Sequence, residues 1–308
     1  MDGEARAPGW IGREQTRESD DMIESRIAWE WRGQTIELGR ETRGRGPAVL
    51  MLPALSSIST RAEMRPLAEA LADTSTTTSI DWPGFGDLPR PPVAWEPDAY
   101  RAFLASILKT IGTPFATVAA GHAAGYLIAH AAAHPGSAGR LCLVAPTWRG
   151  PLPTMMGGRR AAFHAVARLV DLPAIGAAFY RLNVNGPMIR MMGRGHVYAD
   201  PGWLAGPRLA EKLRVTNAPG ARHASFRFVL GELDPMPTHE AFLTAARRLV
   251  DPALVIYGAR TPRRSRAEMD ALTALPGIAS IVLPDGKLAV HEEFPALVAE
   301  ALRPFLRA

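Results

Sequence analysis

Apolar and polar positions alternate in the first regular stretch of the chain. Residues 26–38 (RIAWEWRGQTIEL) show this alternation on both sides of Arg32 and Gly33, which is typical of a β-hairpin. Residues 47–53 (PAVLMLP) are instead continuously apolar, as in strands that are covered on both faces. The change from an alternating to a continuous pattern predicts that a parallel sheet begins near residue 47.

Helix-like and strand-like segments then follow one another along the chain. Helical spacing is found from Arg61 to Asp73, from Glu96 to Ile111 and in an alanine-rich stretch that ends near His134. Strands are predicted at 76–82, 115–120, 140–146, 252–258 and 278–284, and further helices at 238–250, near 265–275 and from about Pro295. This order predicts the α/β class, with a mostly parallel sheet flanked by helices and joined by right-handed crossovers.

The alternation is interrupted between residues 148 and 238. This stretch contains helical segments rich in Met, Pro and Arg. Its methionines suit either an adaptable apolar pocket roof or ordinary core packing. We therefore expect a helical cap at 148–238, inserted after the sixth strand, and a core formed by 26–147 and 239–308.

Residues 1–25 are polar and rich in Gly, Arg and Glu, which predicts a mobile polar tail. These residues contain no apolar block of the kind found in a signal peptide, and no segment has eighteen uninterrupted apolar residues. We therefore expect a cytoplasmic protein without a membrane span.

Composition excludes several classes of function. The formal net charge is +5, but the arginines are scattered among acids, and the only dense basic run is 260–266, so no nucleic-acid partner is expected. The single cysteine, Cys142, lies in an apolar strand, which excludes a disulfide framework. His130 and His134 are spaced for one helix face but have no third ligand nearby, so we expect no metal and no cofactor.

Several motifs together resemble the α/β-hydrolase superfamily with a cap, over about residues 26–306. They are SIDWPGFGD at 79–87, AGHAAG at 120–125 and LPDGKLAVHEEFP at 283–295, set among the ordered strands. In that family a nucleophile sits on a tight strand-to-helix turn between small residues. Three registers place Gly121, His122 or Ala123 at this point, and none of them supplies Ser, Cys or Asp.

The other positions implied by the resemblance also depart from the family pattern. Thr261 stands where the acid is expected, and Lys287 is the nearest match to the base, with His291 a few residues later. Pro53 and Ala54 replace the HisGly of the oxyanion loop, although the amide of Leu55 is still able to donate. The resemblance therefore implies the fold without ordinary Ser-His-Asp catalysis.

The residues that remain suggest a non-covalent site. The candidate residues are His122 and His291 as catalytic bases; Leu55, Ala123, Ala124, Trp82 and Trp148 as oxyanion donors or pocket walls; and Arg260 and Lys287 as contacts to an anion. Each has a structural alternative: His122 can point away from the pocket, His291 and the arginines can be solvated, and the tryptophans can be packing residues. Ser57 is a further candidate nucleophile if a base reaches it.

Two functions fit these residues. The first is an enzyme that uses general-base or lyase-type chemistry on a small, largely apolar, carbonyl-bearing substrate. The second is a catalytically silent pseudo-hydrolase that binds an apolar small molecule or acts as a scaffold subunit. In both cases the expected partner is a small molecule, and a homodimer is left open.

Overall fold

The computed structural model describes residues 10–19 and 22–307, and its central element is one nine-stranded sheet. The strands have the spatial order β1-β2-β3-β5-β4-β6-β7-β8-β9. Their bounds are β1 Trp10–Ser19, β2 Met22–Trp31, β3 Gln34–Arg43, β4 Ala48–Leu52, β5 Thr76–Ile80, β6 Ala116–Ala120, β7 Arg140–Val144, β8 Ala253–Gly258 and β9 Ile278–Leu283. Strands β4 to β9 pair in parallel and β1 to β3 are antiparallel, so the predicted mostly parallel sheet is confirmed.

Helices cover both faces of the parallel strands. Those of the core are α1 Arg65–Leu71, preceded by a 3₁₀ turn at Arg61–Met64, α2 Pro97–Ile111, α3 Ala123–Ala133, α10 His239–Arg247, α11 Arg263–Thr273, α12 Val290–Glu293 and α13 Pro295–Phe305. Apolar residues of α2, α3, α10 and α11 form one core cluster, and those of α1, α12 and α13 form a second. These two layers bury both faces of β4 and of β6 to β8, which is why these strands have continuous apolar runs.

The hairpin predicted around Arg32 and Gly33 is present between β2 and β3. Both turn residues have positive φ angles, +48° and +76°, which suits the twist of a two-residue hairpin. The expected polar tail is wrong for the residues that the structure describes: Trp10–Ser19 forms β1, which pairs antiparallel with β2. Edge pairing uses backbone groups and tolerates polar residues, so composition alone misled the prediction. Residues 1–9, 20 and 21 lie outside the described part.

A helical segment lies between β7 and β8. It contains α4 Pro151–Met156, α5 Ala161–Asp171, α6 Pro173–Asn183, α7 Gly186–Met192, a π-helical turn at Gly193–Val197, α8 Gly206–Thr216 and α9 Ala221–Leu230. The insertion follows the seventh strand and not the sixth, since β1 adds a strand. In the described part of the chain no single helix is long and apolar enough to cross a membrane; α5 and α6 together meet the length and composition criteria but are bent by 114°.

A buried arginine joins the antiparallel and parallel parts of the sheet. The guanidinium of Arg61 lies 2.6 Å from Glu24, 3.2 Å from Glu41, 2.7 Å from Asp81 and 2.8 Å from Asp87. Burial disfavours its charge, but the surrounding carboxylates outweigh this and raise the pKa of Arg61 above its ordinary value. Arg61 therefore neutralises carboxylates that come from β2, β3 and the loop after β5.

We expect Arg61→Ala to lower the free energy of unfolding by about 3–5 kcal/mol, because it leaves buried carboxylates without a partner. Arg32→Ala is the matched control: its 3.0 Å ion pair with Glu96 is more than half exposed, and such pairs contribute at most about 1 kcal/mol. Urea denaturation of both variants measures the difference. Equal losses in the two variants would contradict the importance of the Arg61 contacts.

Candidate active site

The strand-to-helix turn after β6 has glycine at its apex. β6 ends at Ala120 and α3 begins at Ala123, and Gly121 has a φ of +51°, whereas His122 has a φ of −69°. Only Gly121 therefore has the left-handed backbone of this turn, which is unfavourable for other residues. Of the three registers considered from sequence, the backbone selects Gly121, and the registers centred on His122 and Ala123 are wrong.

The turn is fixed to β7 and lies close to the loop after β4. The Gly121 amide donates to the Val144 carbonyl (2.9 Å), and the Thr147 amide donates to the Gly121 carbonyl (3.0 Å). A Cβ atom added at Gly121 would lie 3.3 Å from the Cβ of Ala54, its one close neighbour among the described residues. A side chain at the apex would thus require a small shift of Ala54.

Free backbone amides lie at the start of α3. Among the described residues, the amides of His122 and Ala123 have no hydrogen-bond acceptor, and the same is true of Leu55 on the loop after β4. The Ala124 amide donates to the Gly121 carbonyl at 3.2 Å, so the expectation that Ala124 is a free oxyanion donor is wrong. The unoccupied amides of His122 and Ala123 belong to the start of the helix, where the helix dipole also favours negative charge.

A pocket of about 170 Å³ lies beside this turn. Gly121, His122, Leu55 and His291 line it, and the helical insertion contributes the apolar side chains of Met155, Met192, Val197 and Phe228. Acidic and hydroxyl groups form another part of its wall, from Ser56, Ser59, Glu63, Tyr198 and Glu292. The pocket thus joins an apolar wall to a polar wall.

Other expected pocket residues lie elsewhere. Trp82 and Trp148 are buried in the core: the Trp82 Nε1 donates to the Pro53 carbonyl (2.9 Å), and Trp148 stacks on Phe242. Ala123 and Ala124 are fully buried and do not line the pocket. The pocket-wall prediction for these four residues is therefore wrong, because their apolar side chains pack in the core.

The expected anion contacts and alternative nucleophile also lie outside this pocket. Arg260 is half exposed, 4.0 Å from Asp285, and the Lys287 Nζ donates to the Arg194 carbonyl at 2.5 Å. Thr261 is buried. In the part of the chain that the structure describes, neither its hydroxyl nor that of Ser57 has a hydrogen-bond partner. None of these residues lines the pocket, so the predicted roles of Arg260 and Lys287 as anion contacts find no support there.

A buried carboxylate and imidazole form a pair on the polar wall. Glu63, in the 3₁₀ turn before α1, and His291, in α12, are both nearly inaccessible, and the Nε2 of His291 lies 3.3 Å from Glu63 Oε1. Burial would raise the pKa of Glu63, but the hydrogen bond from His291 and the charge of Lys212 lower it below its ordinary value. Because the carboxylate can only accept, Nε2 carries the proton and the unpartnered Nδ1 has the lone pair.

Sequence reasoning missed Glu63. Its residue type and position match no motif, and its partner lies 228 positions away along the chain. One signal was available: Glu63 precedes the buried residues Leu67 and Leu71 by four and eight positions. A carboxylate on the apolar side of a helix start is unusual and points to a buried polar partner.

A second buried ion pair connects the insertion to α12. The Lys212 Nζ, on α8, lies 2.9 Å from Glu292, and the Tyr198 hydroxyl donates to the same carboxylate at 2.8 Å. Burial disfavours the charge of Lys212, but Glu292, Tyr198 and Glu63 raise its pKa above the ordinary value. The amides of Ala199 and Asp200 donate to Glu293 at 2.7 and 2.6 Å. The segment that carries His291 is thus held in place by the insertion.

His122 has a different environment from His291. Its Nε2 lies 3.1 Å from the Leu233 carbonyl, which can only accept, so this nitrogen carries the proton. Its ring packs edge-on against Phe228, and burial lowers the pKa of His122 to about 4. Nδ1 has no partner among the described residues. His122 is therefore neutral at pH 7 and a weak base.

Asp234 lies next to His122. Its Oδ1 is 3.6 Å from the His122 Nε2, and it accepts hydrogen bonds from Arg159 (2.9 Å) and from the Gly150 amide (2.7 Å). Burial raises the pKa of Asp234 to about 7, although these donors act in the opposite direction. Protonation of this buried acid therefore offsets part of the effect that His122 has on the pH dependence of stability.

The described residues contain no group of three or more His, Cys, Asp or Glu side chains arranged to hold a metal ion. The arrangement nevertheless combines hydrogen-bond donors at a helix start with a carboxylate-imidazole pair. Chemically, it is suited to moving a proton and to stabilising a developing negative charge.

A serine at the apex should cost less stability than a serine at a more crowded glycine. We expect Gly121→Ser to cost about 1–2 kcal/mol, mainly the penalty of the left-handed backbone, because a small shift of Ala54 relieves the 3.3 Å contact. Gly84→Ser is the matched control: it also has a positive φ, +77°, but its added Cβ would lie 2.8 Å from Ala224 Cβ and from the Trp95 ring. Overpacking there adds about 1–3 kcal/mol. Equal losses for the two variants in urea denaturation would contradict the weaker steric restriction at Gly121.

The environment of His122 predicts a pH effect on stability. Between pH 6.5 and about 4 the unfolded chain protonates this residue while the native protein does not, so stability falls as the pH decreases. His122→Gln removes this effect. Over that pH window, the free energy of unfolding of the variant should therefore rise relative to that of the wild type by up to about 3 kcal/mol. Asp234 has the opposite effect on stability, because as the pH falls the native protein protonates this residue before the unfolded chain does.

Urea denaturation at several pH values between 7 and 4.5 provides the measurement. His134→Gln is the control, because His134 is exposed and lies outside the pocket. Parallel stability curves for the wild type and His122→Gln would show that His122 is not held neutral by burial.

Comparisons with known structures identify the same fold elsewhere. Cfl2 from Burkholderia cenocepacia is 20% identical, with a TM-score of 0.68 over 96% of this chain and 100% of that one. A Thermogutta terrifontis esterase with malate bound is 20% identical (TM-score 0.64; 89% and 94% covered). A bromoperoxidase from Bacillus anthracis is 16% identical (0.65; 89% and 97%). At these identities the similarity concerns the fold.

Sequence comparisons address the family directly. A search of the curated proteins finds no match. The model of the alpha/beta hydrolase family, however, matches residues 49–301, which is most of the chain and includes the Gly121 turn, the insertion and His291. Together with the nine-stranded sheet and its helical layers, this match shows that the chain belongs to the α/β-hydrolase family.

Proposed function

We propose that this protein is an enzyme that acts without a covalent nucleophile, with His291 as general base and Glu63 as its partner. The substrate class is a small, largely apolar molecule that bears a carbonyl or a similar group. The observation that carries this proposal is the buried Glu63–His291 pair in the wall of the pocket beside Gly121.

The absence of a side chain at the apex argues against an acyl-enzyme. Gly121 occupies the position where the family has its nucleophile, and glycine has no group that can attack a carbonyl. A chemical step in this pocket would have to proceed by proton transfer or by attack of an activated water molecule. The absence of an acid at Thr261 is consistent with a different arrangement of the catalytic groups.

His291 is better suited than His122 to act as the base. Its Nε2 donates to an ionised carboxylate, which stabilises the imidazolium that forms when Nδ1 accepts a proton. His122 instead donates to a carbonyl, and burial lowers its pKa to about 4, so it binds a proton weakly at neutral pH. We therefore assign His122 to the pocket wall.

The free amides of His122 and Leu55, two residues that line the pocket, supply candidate donors for an oxyanion. The helix dipole of α3 supports the same role. The apolar wall, formed by Ile58, Met155, Met192, Phe228 and Leu288, favours a substrate with a hydrocarbon body. The volume of about 170 Å³ limits that body to a small molecule.

The helical insertion acts as a cap in this proposal. It supplies Met155, Met192, Val197 and Phe228 to the pocket, and its ion pair between Lys212 and Glu292 fixes the segment that carries His291. A cap over the substrate excludes bulk water from the reaction. A cytoplasmic location and a homodimer stay predictions.

The test is turnover of a panel of esters, lactones and epoxides by the wild type and by matched variants. We expect His291→Ala to lower kcat/KM by about 10²–10⁴-fold, the usual contribution of a general base. His122→Ala should have a much smaller effect. His134→Ala is the control, since His134 is exposed and outside the pocket. The fold of each variant is checked by thermal denaturation.

Glu63→Gln separates a catalytic partner from a structural residue. Without the carboxylate, the positive charge that develops on His291 during proton transfer is less stabilised, so kcat should fall while KM changes little. A variant that only loosened the fold would instead lose rate in parallel with its thermal stability. Undiminished turnover by His291→Ala, or labelling of the wild type by a fluorophosphonate, would refute the proposed mechanism.

One observation favours a second candidate, a catalytically silent binding protein. The Ala54 amide on the oxyanion loop donates to Glu63 at 2.5 Å, so one possible donor is occupied and a negative charge lies nearby. A developing oxyanion would be repelled by that charge. This candidate predicts no turnover by any form, and an apolar ligand that is released when the purified protein is denatured and identified by mass spectrometry.

A further inference from the structure

The helical insertion has a net positive charge, whereas the rest of the chain does not. Residues 148–238 contain twelve Arg and Lys but only five Asp and Glu, which leaves the rest of the chain with more acidic than basic residues, although the net charge of the whole chain is +5. Around α5 and α6, residues 159–183 contain four arginines and one acid, Asp171. The charge is thus concentrated on one part of the molecule.

Asp171 does not neutralise this part of the surface. Its carboxylate lies 2.7 Å from Arg227 and 2.7 Å from His223, both on α9 on the inner side of the helices. Arg160, Arg168 and Arg181 are exposed and have no hydrogen bond or ion pair through their side chains among the described residues. Three cationic groups are therefore free to bind an anionic partner.

The same two helices expose large apolar side chains. Leu169, Leu172, Ile175 and Leu182 have 36%, 46%, 60% and 74% of their surface accessible. The opposite sides of α5 and α6 pack on a common apolar cluster that includes Phe163, Val170, Tyr180 and Phe226. Because both helices bury one side against the same cluster, their exposed sides point away from it. We call these four apolar residues and Arg160, Arg168 and Arg181 the outer surface.

We propose that the outer surface docks on an anionic lipid membrane. Exposed aliphatic side chains beside unpaired arginines are the pattern of helices that lie in the plane of a membrane interface. The apolar groups enter the boundary between headgroups and acyl chains, and the arginines bind lipid phosphates. The inner sides of the helices are already packed against the protein, so this contact is peripheral. The inference goes beyond the proposed reaction and does not depend on it.

Charge decides against the other occupants. In a two-fold dimer through this surface, the same arginines of both copies would face one another, and like charges at an interface are costly. A single-stranded nucleic acid would match the charge, but the exposed apolar residues are aliphatic and offer no aromatic ring for bases to stack on. An anionic lipid surface matches both the charge and the aliphatic side chains.

The test is co-sedimentation of the full chain with vesicles of phosphatidylcholine, with and without about 30% phosphatidylglycerol. We expect binding to the anionic vesicles only, with a loss of binding when salt is raised from about 0.05 M to about 0.5 M. Arg168→Gln with Arg181→Gln should lower the partition coefficient about 25-fold, about fivefold for each arginine. Ile175→Ser with Leu182→Ser should also weaken binding at the lower salt concentration.

A matched control keeps the test specific. Val250→Ser with Arg248→Gln removes one exposed apolar side chain and one exposed arginine at the end of α10, outside the insertion, and should bind like the wild type. Thermal denaturation confirms that each variant is folded. Two vesicle results would overturn the proposal: binding to neutral vesicles as strong as to anionic ones, or a loss of binding in the control as large as in the surface variants. Two other results would point to a different occupant and also overturn it: a dimer that the Ile175 and Leu182 changes dissociate, or tighter binding to single-stranded DNA.

Discussion

The turn between β6 and α3 requires a left-handed backbone, and the geometry of the candidate site follows from that constraint. Gly121 satisfies it without strain, and its amide and carbonyl bind the turn to Val144 and Thr147 on the neighbouring strand and loop. The same turn places His122, the first residue after the glycine, in the wall of the pocket with its amide unoccupied. In the proposed function, this turn supplies a donor for an anion, while the reactive groups come from other segments.

The groups to which we assign the proposed chemistry come from segments that border the turn. Glu63 stands at the start of the helix after β4, and His291 lies after β9 at the other side of the pocket. A buried carboxylate is costly unless it is paired, and Glu63 is paired by His291, by the Ala54 amide and by the field of Lys212. Lys212 belongs to the insertion, so the insertion is part of the electrostatics of the site as well as part of its wall.

The fold could be predicted from sequence far better than the site. Continuous apolar runs such as 47–53 and 252–258 report burial on both faces, which is a local property, and the helices between them follow from spacing. The Glu63–His291 pair depends instead on two segments 228 positions apart, and no local pattern encodes their meeting. Trp82 and Trp148 failed as pocket residues for a related reason, since the sequence shows that a large side chain follows a strand but not which way it packs. β1 was missed because edge strands need few apolar residues.

The insertion also contributes a buried charge to the site. Lys212, on α8, lies 2.9 Å from the largely buried Glu292, and its positive charge helps to lower the pKa of Glu63. In a medium of low dielectric constant such interactions are worth more than in water. Removing Lys212 would leave the Glu292 carboxylate without its cation, and a buried charge without a partner is costly. The packing of the insertion and the electrostatics of the pocket wall therefore depend on the same lysine.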